Sequence, residues 1–158
     1  MSSYAVRLVW SGDTAAGYAA YDRNHVVAMP PAEGFLDLSA DAAFRGDPTL
    51  PNPEALLLAA ASSCQLLSFL AVAARAAVGV TAYEDSASAV LDLAHSPARM
   101  DRIELRPQIT VAAGNEPLDI ERVHALVQQA HEECYIANTL AVPVVVMAGI
   151  RVAGPDRA

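Results

Sequence analysis

Hydrophobic and polar residues alternate at the start of the chain. Over residues 4–11, Tyr4, Val6, Leu8 and Trp10 fall on one side and Arg7 and Ser11 on the other, the two-residue period of a strand. Residues 18–29 predict a second, less regular strand, interrupted by the polar run Asp22, Arg23, Asn24 and His25. Pro30 and Pro31 end it, residues 35–38 predict a short third strand, and residues 39–52, with Gly46, Pro48 and Pro51, predict a loop. The pattern then changes. Residues 51–75, PNPEALLLAAASSCQLLSFLAVAAR, predict one long helix, with Asn52 as N-cap, Pro53 at the first helical position, Glu54 where the helix dipole favours an anion, Arg75 in the last turn and Gly79 beyond the end. Apolar side chains surround nearly its whole circumference, which predicts a core helix packed on all sides. Residues 55–74 carry no charge and are numerous enough to cross a bilayer, but alanine is the commonest of them, Ser62, Ser63, Gln65 and Ser68 interrupt them, and no second span follows.

Beyond the helix, residues 81–94 set Tyr83, Ala87, Ala89, Leu91 and Leu93 against Glu84, Ser86, Ser88 and Asp92, and predict a strand that turns at His95, Ser96 and Pro97. Residues 102–113 alternate cleanly, with Ile103, Leu105, Ile109 and Val111 inward and Arg102, Glu104, Arg106, Gln108 and Thr110 outward, so the two segments predict a hairpin. Residues 119–133 place Ile120, Val123, Val127, Ala130 and Cys134 at helical spacing, a second helix that points Cys134 inward at its last turn, with Asn138 ending the helical stretch. Residues 142–147 are a β-branched closing strand with Pro143 near its start. The expected architecture is a single α+β domain over residues 1–158: N-terminal antiparallel strands, a long buried central helix, a hairpin, a second helix and a closing strand, with residues 152–158 as a disordered tail.

Composition narrows the function. The chain has 158 residues, 54% of them hydrophobic and 18% charged, enough apolar material for one domain's core. A net charge of −8 argues against nucleic acid and anionic membrane surfaces as partners. All ten basic residues are arginine. No charged-then-apolar N-terminal segment directs secretion, so the cytoplasm is the expected compartment, and two cysteines there are not expected to form a structural staple.

The candidate chemistry rests on Cys64 and Cys134, both on apolar helix faces. Each alone is most often a small core hydrophobe. Ala60, Ala61, Cys64, Ser68 and Ala71 make a stripe of small side chains on the long helix, suited to close approach by another helix, and a helix this apolar in so short a chain predicts a homodimer. His124 and His131 lie seven apart without a third ligand, so no metal site and no cofactor are expected. A reactive thiol in the middle of an apolar helix needs a nearby cation to populate its thiolate, and without lysine that cation is arginine or histidine. Arg75, eleven positions after Cys64, lies on nearly the same face about 16 Å along the axis and also reads simply as a cation at a helix C-terminus.

NPE at residues 52–54, the SSC ending in Cys64 ten residues after Glu54, and AHEEC at residues 130–134 together resemble the OsmC/Ohr family of thiol-dependent peroxidases, over about residues 18–147. The resemblance implies an intertwined α+β homodimer that reduces organic hydroperoxides in oxidative stress defence. It also implies roles: Cys64 peroxidatic, Cys134 resolving, Glu54 and Arg23 completing the site, and an external dithiol, of lipoyl type, as reductant. Many members have proline after the second cysteine, where this chain has Tyr135. The alternative is a non-catalytic, dimeric stress or ligand-binding protein of the same fold, its cysteines core residues. Ten residues of continuous helix separate Glu54 from Cys64 by a rise of ~15 Å and an offset of ~80°. Two such helices crossing antiparallel in a two-fold dimer would bring the start of one near the middle of the other, which predicts Cys64 and Cys134 from one subunit acting with Glu54 and Arg23 from its partner.

Overall fold

The computed structural model describes residues 1–113 and 119–153. The chain divides into two compact units, Met1–Leu57 and Leu58–Ala158.

The first unit is an antiparallel sheet of β1 (Arg7–Val9), β2 (His25–Ala28) and β3 (Leu36–Leu38), with β2 central. The register sets Leu8 opposite Val27 and His25 opposite Leu38. Val27 and Leu38 are buried, whereas β1 is exposed throughout, including the apolar side formed by Val6, Leu8 and Trp10. The strand expected over residues 18–29 is confined to its last part. Upstream the chain turns, because Gly17 adopts φ 92° and the Asp22 carboxylate accepts the amide of Asn24, a local bond that competes with strand pairing. The following loop carries a 3-10 turn, Ala42–Phe44, capped by Asp41. Gly46 has no room for a side chain there, since a Cβ would fall 1.7 Å from the carbonyl oxygen of Ala40.

Helix α1 (Pro53–Arg75) begins in this unit with the expected cap, Asn52 accepting the amide of Ala55 at 2.8 Å, and continues into the second. The second unit also contains β4 (Val80–Glu84), β5 (Ser88–Asp92), β6 (Arg99–Leu105), β7 (Gln108–Val111), α2 (Ile120–Glu132), α3 (Tyr135–Thr139), β8 (Val144–Val146) and β9 (Gly149–Val152). The expected hairpin exists, but each arm is broken in two: β4 pairs with β7 in one sheet and β5 with β6 in another. The breaks have causes. Pro107 has no amide to donate to a ladder, and the Asp85 carboxylate binds the amide of Arg106 at 2.7 Å and the hydroxyl of Ser62 at 2.5 Å, pinning both arms where they bend. β8 and β9 then add in parallel to β6 and β7, so both sheets are mixed, with Ile103 opposite Val144 and Ile109 opposite Ile150. The single closing strand is therefore two strands. Val152, expected in a disordered tail, ends β9 opposite Val111, and residues 154–158 of that tail lie outside the described residues.

The inward row of the hairpin is as expected: Ile103, Leu105, Ile109 and Val111 are fully buried. Ile109 and Val111 pack with Phe69, Val72 and Ala73 of α1 and Val123, Leu126, Val127 and Ala130 of α2. α1 departs from expectation. It is long and apolar enough to cross a membrane, but it buries one stripe, Ala61, Gln65, Phe69, Val72 and Ala73, in this core, and leaves Leu67 63% and Leu70 40% exposed. In a single chain the helix is thus covered on one side rather than all round. The second helix is also shorter than its apolar period. α2 starts at its Asp119 cap and ends at Glu132, so Cys134 is not in its last turn but is the N-cap of α3, with extended backbone at φ −74°, ψ 108°.

Candidate active site

Cys64 and Cys134 come together in the second unit, both as free thiols. Cys64 is half-buried on α1 and opens onto a cleft of about 480 Å³, whose walls include Leu67, Ser68, Ala71, Arg75, Glu133, Tyr135 and Ile136. Cys134 is 1% exposed. The start of α3 holds both sulfurs: the amide of Ile136 donates to Cys64 Sγ and the amide of Ala137 to Cys134 Sγ, each at 3.5 Å. Amide donors of this kind favour a sulfur that carries negative charge. Burial pushes the Cys134 thiol above its ordinary range, and its hydrogen bond with the Cys64 thiol pushes it the same way, against the pull of the Ala137 amide. Both effects favour the protonated form of Cys134. At the far wall of the cleft Arg75 pairs with Glu133 at 2.6 Å, so the cation read from sequence as a helix-end charge faces the same space as Cys64.

Arg23 and Glu54 come together in the first unit. Both line a cavity of about 430 Å³ with Trp10, Tyr21, His25 and Phe44. Arg23 donates to the carbonyls of Tyr21 and Tyr18, and its guanidinium carbon lies 3.8 Å and 4.7 Å from the centroids of those two rings. Stacking of this kind suits guanidinium and not ammonium, and it fixes the arginine on its own loop. Among the described residues no ion pair joins Arg23 to Glu54. The four sequence-derived residues therefore fall into two pairs: Arg23 and Glu54 line one cavity, and Cys64, with Cys134 buried behind it, lines another. Among the described residues no cluster of histidine, cysteine and carboxylate side chains is able to hold a metal ion.

Sequence reasoning missed the aromatic cradle of Arg23, for which Tyr18 and Tyr21 flanking a lone arginine were the available signal, and the amide donors of α3, hidden because Cys134 was read as part of the preceding helix.

The family model for OsmC-like proteins matches residues 46–147, which span both α1 with Cys64 and the Cys134 turn. The chain belongs to the OsmC-like family. Among solved structures, an OsmC-like protein of unknown function from Vibrio cholerae superposes with a TM-score of 0.83 at 26% identity, covering 94% of this chain and 100% of that one. An organic hydroperoxide resistance protein from Elizabethkingia anophelis gives 0.70 at 16% identity, covering 97% and 98%, and one from Bacillus subtilis gives 0.62 at 18%, covering 95% and 98%. At those identities the last two establish a shared fold. No curated protein matches the sequence. In this OsmC-like chain the residue after the second cysteine, Tyr135, is 82% exposed at the mouth of the Cys64 cleft.

Proposed function

We propose that this OsmC-like protein is a cysteine-based peroxidase that reduces organic hydroperoxides to alcohols, acting in the cytoplasm as a homodimer. The observation that carries the reading is the gathering of two free thiols of unequal environment at the start of α3, Cys64 open to a cleft and Cys134 enclosed behind it. In the proposed cycle the Cys64 thiolate attacks one peroxide oxygen, the O–O bond breaks, and the alkoxide leaves as alcohol after taking a proton. The resulting Cys64 sulfenic acid condenses with the Cys134 thiol, releasing water and leaving a disulfide. An external dithiol, of lipoyl type, restores both thiols. Arg23 is the proposed donor to the peroxide oxygens and Glu54 the carboxylate that orients it, supplied by the partner subunit. This division is supported by the cavity that Arg23 and Glu54 line and that neither cysteine lines.

Thiol titration before and after one equivalent of cumene hydroperoxide tests the reading. Loss of both thiols with formation of one intramolecular disulfide is the expected result, and unchanged thiols would make the cysteines core residues of a non-catalytic protein.

A further inference from the structure

Cys134 does not ride on α2; it stands in the two-residue turn between α2 and α3, so its distance from Cys64 depends on what holds that turn to α1. Glu133, the residue before it, is held at its carboxylate by Arg75 Nη2 of α1 at 2.6 Å and by Gln129 Nε2 of α2 at 2.9 Å. Its pKa is drawn below the usual carboxylate range by the Gln129 bond first and by Arg75 second. A second tie, from Arg122 to the carbonyl of Ala76 at 2.8 Å, lies at the other end of α2 and carries no opposing charge. Among the described residues, Arg75–Glu133 is the only ion pair between α1 and the Cys134 turn.

Resting on the peroxidase reading, we infer that Arg75 and Glu133 are positioning residues, a latch that holds the Cys134 turn on α1 for disulfide formation. The step it serves is condensation of the Cys64 sulfenic acid with the Cys134 thiol: the S–O bond breaks, the S–S bond forms, and the thiol proton leaves with the hydroxyl as water. That step requires the two sulfurs to approach to ~2.05 Å with Cβ atoms ~3.8 Å apart. The amides of Ile136 and Ala137 must release the sulfurs as this happens, and the latch keeps the turn in place meanwhile. The competing step is attack of the sulfenic acid on a second hydroperoxide, which gives sulfinic acid and a second molecule of alcohol. The ratio of disulfide to sulfinic acid therefore reports the latch.

The experiment treats the full chain with excess cumene hydroperoxide and measures that ratio by intact mass, for the wild type, Arg75→Gln, Glu133→Gln and the swap Arg75→Glu with Glu133→Arg. Each single variant should lower the ratio about threefold, the scale of a solvent-exposed ion pair. The swap should recover it, and ~1 M salt should lower it in the wild type and the swap but not in the single variants. A second measurement needs no peroxide: the equilibrium constant for forming the disulfide in a dithiothreitol redox buffer should fall by the same factor. An unchanged ratio and constant in both single variants, or a swap that restores neither, overturns the latch. So does an equal slowing of the first oxidation, which would make Arg75 a cation acting on Cys64 itself. Wild-type thiols inert to hydroperoxide would sink the peroxidase reading, while the dithiothreitol equilibrium would still judge the latch.

Discussion

Ile136 donates its backbone amide to the sulfur of Cys64 at 3.5 Å, across 72 positions of sequence. The next amide, that of Ala137, serves Cys134, so one short helix start addresses both thiols and makes them unequal neighbours. The two serine variants should therefore fail differently. Cys64→Ser is expected to abolish turnover of cumene hydroperoxide. Cys134→Ser should permit one oxidation and stop at the sulfenic acid on Cys64 or at its over-oxidised forms. Mass spectrometry of the treated Cys134→Ser protein decides it, and an unmodified Cys64 would overturn the peroxidatic assignment.

How much of this could be read in advance depended on how local each cause was. The alternation from Ile103 to Val111 was legible because each inward side chain meets the same core, and the Asn52 cap because it acts within one helical turn. The bend at Pro107 was hidden by that very alternation, since the inward row resumes in phase after the break, and its partner Asp85 lies 21 positions away. Cys134 was assigned the right direction and the wrong element, because an N-cap after a one-residue helix stop preserves the helical spacing of buried positions. The sequence offered Cys64, Cys134, Arg23 and Glu54 as candidates one by one, but not that Arg23 and Glu54 line a cavity that neither cysteine lines.

Tyr135 stands at the first position of α3, after a residue whose extended backbone at φ −74°, ψ 108° is what proline requires of its predecessor. Proline at that helix position loses no intrahelical bond. Tyr135→Pro should therefore leave the fold intact and raise stability by ~0.5–1 kcal/mol through the unfolded chain. It should also widen the mouth of the Cys64 cleft, where Tyr135 is one wall, and raise kcat/KM for bulky hydroperoxides more than for small ones. Thermal unfolding and a series of alkyl hydroperoxides check the two parts separately.

Two acids, the buried Cys134 and the partly buried Tyr83, should make the protein sensitive to alkali. Tyr83 is pushed far above the usual phenol range, first by burial and then by the charges of Asp85 and Cys134, and its hydroxyl has no partner among the described residues. Cys134 is raised as well, first by burial and then by Cys64. In both, folding favours the protonated form. Their contribution is present in full below the unfolded values, near 9 for a thiol and 10 for a phenol, and is lost as pH rises beyond them. The urea midpoint should fall above about pH 9, less steeply in Cys134→Ser and in Tyr83→Phe. At pH 7 Tyr83→Phe should be more stable than the wild type by ~1 kcal/mol, because it removes an unpaired buried hydroxyl. Equal slopes above pH 9 in all three proteins would place the alkaline loss elsewhere.

Leu67 and Leu70 leave an apolar face on α1 that a single chain does not cover, next to the small side chains Ala60 and Ala71. If that face is the two-fold contact, Leu67→Arg should convert a dimer to a monomer in light scattering; because Leu67 also walls the Cys64 cleft, the mass and not the activity decides. A dimer of unchanged mass would move the interface to another surface.

The division of the site between subunits can be tested without a structure of the dimer. Cys64 opens onto one cavity with Cys134 buried behind it, and Arg23 and Glu54 line another, so a site built from a cysteine pair of one subunit and an arginine–glutamate pair of its partner has two separable genetic halves. A Cys64→Ser chain supplies a sound Glu54 and a dead thiol; a Glu54→Ala chain supplies the reverse. Mixed into heterodimers, they should give one site lacking both groups and one site with both intact, and activity should exceed that of either parent. Subunit exchange is monitored by native mass spectrometry on the same sample. If exchange is complete and activity stays at the parental level, Glu54 serves the cysteines of its own chain or none at all, since two sites that each lack one group cannot be repaired by exchanging subunits.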